Sequence, residues 1–170
     1  MAGKLVQVDT NTVTSAVSSV TLTGIDSNNP YMLVVSNYIP SSDGADMKIR
    51  VVESGTPNSS SNYDMAAKVL RTDTTFGEDE HVNATEFDTS TSIGNDTGEA
   101  ANWIFYIYNA YDNSRFTYFT HENVMLGTTA LLIGRQGGGV FTSASQVGGL
   151  QMFPNTGNIA SGTFTLYKVV

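Results

Sequence analysis

Apolar and polar residues alternate with a period of two along most of this chain, and turn-forming clusters break the alternation at short intervals. Met47, Ile49 and Val51 alternate with Lys48 and Arg50, the pattern of a strand with one face in a core and the other in water. Segments rich in β-branched and aromatic residues, bounded by Gly, Asn, Asp, Pro or Ser, predict strands at Lys4–Val8, Val17–Thr23, Tyr31–Tyr38, Asp46–Glu53, Met65–Arg71, Trp103–Ala110, Phe116–Glu122, Ala130–Arg135, Gly148–Phe153 and Thr163–Val169. A sustained 3.6-residue period is weak throughout. Tyr63–Leu70 could form two helical turns with Asn62 as cap, but the flanking Ser59-Ser60-Ser61 and Thr72–Thr75 favour extended chain, so the window reads as strand.

Roughly eight to ten short strands at this spacing predict an all-β fold: one antiparallel β-sandwich domain over residues 1–170. The long stretch from Asp73 to Asn102 reads as a crossover loop, which suits a jelly-roll-like topology better than a meander of tight hairpins. Gly134-Arg135-Gln136-Gly137-Gly138-Gly139 reads as a bend or close backbone approach joining two strand-like segments. It lacks the Gly-Lys-Ser/Thr ending of a phosphate loop.

Composition narrows the function. With 40% hydrophobic, 10% aromatic and only 14% charged residues, the chain is ordered rather than disordered. A net charge of −8, with basic residues that nowhere form a run, argues against nucleic acid and against an anionic membrane surface as partners. With no cysteine, neither a disulfide framework nor a thiolate metal site is possible, which fits assembly in a reducing cytoplasm. The first residues lack the apolar core of a signal peptide, and Trp103–Tyr108, the longest strongly apolar run, is too short to span a bilayer.

That run is the strongest candidate for function. On a strand, Trp103, Phe105 and Ile107 point one way and Ile104, Tyr106 and Tyr108 the other, so both faces need cover. A loop could cover the second face; subunit contact is the functional reading, since Tyr is enriched at such surfaces. His121-Glu122 and Glu78–His81 lack the spacing that puts two imidazoles on one ion and read as solvated acidic segments. No Gly-x-Ser-x-Gly elbow occurs, and Asp26–Asn29 and Asp43–Asp46 are turn formers rather than calcium loops. No catalytic residue, cofactor or metal is expected.

The C-terminal stretch Gly157-Asn158-Ile159-Ala160-Ser161-Gly162-Thr163-Phe164-Thr165-Leu166-Tyr167 resembles the "GNI-x-SGT-x-x-LYG" ending of virion structural proteins of tailed bacteriophages, especially marine ones, with Lys168 where that ending has Gly. The order of other segments is similar too: Thr21–Ile25, Tyr31–Val35, Ser42-Asp43-Gly44, Lys48–Val52, Asn62-Tyr63-Asp64, Leu70–Asp73 and Gly134–Gly138. The resemblance implies a jelly-roll-like domain, with the tail as final strand, built into a virion after assembly in the host cytoplasm. It transfers no catalytic residue. A lone compact domain without a shaft suits a capsid decoration or cement protein, a homotrimer on the major capsid protein or other virion proteins. The trimer contact is expected on Ile104, Tyr106 and Tyr108, with Leu5, Val6 and Val8 of the N-terminal segment added as a strand to a neighbour. One alternative is a tail or fibre module binding host glycans through Tyr111, Phe116 or Tyr118 near Asp112 and Asn113. A second is a sandwich-fold carbohydrate-active enzyme using Glu78 or Glu80.

Overall fold

A computed structural model describes residues 3–73 and 75–170 and shows an all-β protein with no helix among the described residues. In chain order the strands are β1 (Leu5–Val13), β2 (Val20–Thr23), β3 (Tyr31–Pro40), β4 (Met47–Glu53), β5 (Thr56–Pro57), β6 (Tyr63–Arg71), β7 (Phe76–Ala84), β8 (Phe87–Asp88), β9 (Ala101–Tyr108), β10 (Thr117–Leu126), β11 (Leu132–Phe141), β12 (Gly149–Pro154) and β13 (Ile159–Val169). They form two antiparallel sheets. The larger has eight strands in the order β1-β13-β3-β9-β10-β11-β6-β7, and the smaller runs β2-β12-β4-β5 with β8 also on β4.

The first strand lies beside the last and the last beside the third, while β2 lies beside β12 and β12 beside β4. Strands β1 to β4 therefore alternate between the two sheets, as do β11, β12 and β13, and the two sheets make a β-sandwich. Beyond β9 the larger sheet is widened by the β10–β11 hairpin and then by β6 and β7. The core is the space between the sheets. Trp103, Phe105, Phe119, Phe164 and Leu166 from the larger sheet meet Leu22, Met47, Ile49, Leu150 and Met152 from the smaller. Tyr38 and Trp103 pack edge to face at 5.5 Å, an arrangement favoured by the ring quadrupoles.

Every expected strand is present, and Tyr63–Leu70 is extended as read. Two expectations are corrected. The stretch from Asp73 to Asn102 is not one loop, because it holds β7 and β8. The inward face of β7 carries Gly77, Asp79 and His81 in place of apolar residues, so its burial leaves no hydrophobic period to read. The glycine run is not a bend either; it lies inside β11, paired without a break to β10 on one side and to β6 on the other. Its glycines answer crowding. A Cβ on Gly139 would sit 2.7 Å from the Phe87 ring, and one on Gly137 would sit 2.3 Å from the Ala66 carbonyl oxygen.

The N-terminal segment is not free. β1 is paired along its length to β13, and Lys4 exchanges two backbone hydrogen bonds with Val170 (2.7 and 3.0 Å). Val8 is half-buried against the core and lies where a Cβ on Gly24 (φ +96°) would collide with it.

Candidate functional site

Alternation along β9 puts Trp103, Phe105 and Ile107 in the core and leaves Ile104, Tyr106 and Tyr108 about two-fifths exposed on the outer face of the larger sheet. The strand register then builds rows across that face. Tyr108 stands opposite Tyr118, Tyr106 is flanked by Met32 and Thr120, and Ile104 is flanked by Val34 and Glu122. Val124 continues the apolar surface beside Asn102. No segment of the chain among the described residues forms a layer over these side chains.

The size of the patch decides whether it is notable. Three tyrosines of roughly 200 Å2 each, about two-fifths exposed, together with Ile104 and Val124, leave roughly 400 Å2 of nearly continuous side-chain surface open. That is the size of the largest patch on a typical single subunit, a patch that often has a role, and it is about half of what one partner contributes to a stable interface. A polar rim borders it. Gln136 donates to Glu122 at 2.6 Å, and Lys68 pairs with Glu78, so the face grades from apolar at β3 and β9 to hydrophilic at β6 and β7.

Of the other expected contact residues, Leu5 is half exposed on β1, three strands from β9, and Val6 is exposed at the rim. Val8 faces the core and belongs to no outer surface. Among the aromatics considered for sugar stacking, Tyr111 packs against the core, whereas Phe116 and Tyr118 are exposed. Asp112 is occupied by Ser114 and lies 3.4 Å from Arg115, contacts that hold its carboxyl below the usual range. Glu78 and Glu80 are exposed on β7. The hydrogen bond from Lys68 depresses the Glu78 carboxyl, the opposite of what a general acid requires.

A second constellation lies on the inward side of the β7 end and escaped the sequence reading. Arg135, nearly fully buried on β11, reaches Asp79 of β7 at 2.5 Å. His81 sits between Asp79 (3.3 Å) and Asp88 (3.6 Å), and Lys48 of β4 is bonded to Asp88. His121 lies beside this network, 5% exposed and stacked on Phe105, with neither ring nitrogen hydrogen-bonded. Burial, and secondarily the Arg135 charge, push its imidazole down to about 4, so it is neutral. It borders a cavity of ≈ 10 Å3 among Phe87, Phe105 and Phe119, about the space of one water.

His121 is thus not on a solvated segment, whereas Glu78 and Glu80 are solvated and His81 beside them is only partly buried. His121 and Glu122, adjacent in sequence, point to opposite faces of the same strand. Lys48 and Arg135 already neutralise the carboxylates around His81. Among the described residues no group of three or more His, Asp or Glu is placed to hold a metal. The network ties the widened end of the larger sheet to the smaller sheet, which is structural work.

Comparison with protein-family models, with curated proteins and with solved structures finds no match to this chain.

Proposed function

We propose that this chain is a structural component of a bacteriophage virion, a decoration or cement protein that binds the head surface as an oligomer and stabilises it. The observation that carries the reading is the open apolar face on β9 and its neighbours, centred on Ile104, Tyr106 and Tyr108. The similarity of the Gly157–Tyr167 ending and of the segment order to marine phage virion proteins supplies the setting. Such a protein acts by contact: buried area between neighbouring subunits stabilises the shell by mass action, because only the assembled lattice offers the site. A homotrimer on the major capsid protein hides the patch by closed symmetry.

A second reading, a tail or fibre module for host glycans, draws on the exposure of Phe116 and Tyr118 near one end of the same sheet. Electron microscopy of particles carrying gold-labelled protein separates the two. Label distributed over the head is the expected outcome, and label confined to the tail favours the second reading and sinks the first.

A further inference from the structure

Strand β7 is the last strand of the larger sheet at the end opposite β1, so one row of its backbone donors and acceptors faces no strand among the described residues. Proteins blunt such edges with short strands, proline, lysine, bulges or inward-pointing charges. Here the edge runs nine residues, Phe-Gly-Glu-Asp-Glu-His-Val-Asn-Ala, with no proline or lysine. Asp79 and His81 point inward and a bulge interrupts the pairing between His81 and Ala84, while Phe76–His81 is regular strand paired on one side. Its outer face presents Phe76, Glu78, Glu80 and Val82 in order. Phe76 (77%) and Val82 (69%) are the most exposed large apolar side chains of the described residues, one at each side of the carboxylate pair.

The edge is also held in place before anything binds. Asp79 is fixed by Arg135, and His81 lies between Asp79 and Asp88. A strand anchored by its inward side chains loses little freedom when a further strand joins it. Pairing with the β7 of a second copy is disfavoured, because it sets glutamates against glutamates across the new ladder.

The chain itself displays the complement that this edge lacks. In the smaller sheet Lys48 of β4 stands opposite Asp88 of β8 and binds it, and two residues on Arg50 reaches Glu86 at 2.8 Å. A Lys-x-Arg strand lies there against a Glu-x-Asp segment, the two-residue β8 and the bend before it. On β7, Lys68 of β6 answers Glu78 from one side only.

We propose that β7 is a strand-addition site for an extended segment of another protein that carries Lys or Arg at two alternate positions between apolar residues. Main-chain hydrogen bonds supply affinity, and the Glu78–Glu80 pair with Phe76 and Val82 selects the sequence. The surface is separate from the apolar face on β9, so this inference does not depend on the role assigned to that face.

The test is fluorescence anisotropy of a labelled peptide, Met-Lys-Ile-Arg-Val-Val, whose sequence is that of residues 47–52. The expected result is saturable binding to the wild-type protein, weakened at least tenfold in the Glu78→Lys/Glu80→Lys variant. A peptide with Glu in place of Lys and Arg is expected to show the reverse preference, and N-methylation of alternate peptide amides to abolish binding. Equal affinity for wild type and the double variant overturns the proposal. So does undiminished binding of the N-methylated peptide, which would mean attraction by the net charge of −8 alone. Should the double variant lose its β circular-dichroism signal, Phe76→Ser serves in its place, since that ring makes no core contact; it is expected to weaken binding severalfold, and unchanged affinity overturns the proposal.

Discussion

His121 shows what one buried side chain does to the whole. Its imidazole is held down to about 4 by burial and by Arg135, with Asp79 opposing, against an ordinary value of 6.5 in the unfolded chain. Between these values the unfolded state binds the proton and the folded state does not. Stability is therefore unaffected by this group above about pH 6.5 and falls as the pH drops toward 4, by about 3 kcal/mol at the lower end. Urea denaturation at pH 7.5 and at pH 4.5 is expected to show this loss in the wild type and a smaller one in His121→Phe. Parallel losses in both proteins would assign the acid sensitivity to other groups. Strand alternation separates His121 from Glu122, but which of the two faces inward was not legible. A buried imidazole without a hydrogen-bond partner runs against the usual preference, and its partner surface comes from Phe105 on another strand.

At the level of elements, β11 carries glycine where sequence preference argues against a strand, and its neighbours explain why. The Phe87 ring and the Ala66 carbonyl occupy the volume that Cβ atoms on Gly139 and Gly137 would need. Gly137→Ala is expected to destabilise the fold by about 2 kcal/mol in denaturant titrations, because the crowding atom is backbone and cannot swing aside. Gly134→Ala, whose added Cβ would meet the Asn123 carbonyl oxygen at 3.3 Å rather than 2.3 Å, is expected to cost distinctly less. Equal costs at the two sites would refute the crowding argument. The apolar strands were legible because their inward faces are hydrophobic. β7 was not, because Asp79 and His81 face inward into an ion network whose cations, Arg135 and Lys48, are remote in sequence. No local pattern records a burial that distant charges make tolerable.

Across the whole molecule, strand count and segment order were enough for the sandwich, and the two-sided apolar run of β9 was enough to point at its open face. The grouping of Tyr118 and Val124 with that face needed the β9–β10 register, which depends on how the hairpin closes. If the face is a subunit contact, Tyr106→Asp places a charge at its centre and analytical ultracentrifugation at micromolar concentration is expected to show a smaller species than the wild type. An identical sedimentation coefficient for both proteins counts against the contact.

The hydrogen-bonded meeting of Lys4 and Val170 has a topological consequence. With Lys4 and Val170 already at contact distance, a few Gly and Ser residues joining them close residues 4–170 into a loop without displacing any strand. New ends can then be opened at the exposed Ser59–Ser61 connection between β5 and β6. Such a rearranged chain synthesises β13 and β1 consecutively, turning the most distant contact in the sequence into a hairpin, and by that shortening it is expected to fold faster than the natural order.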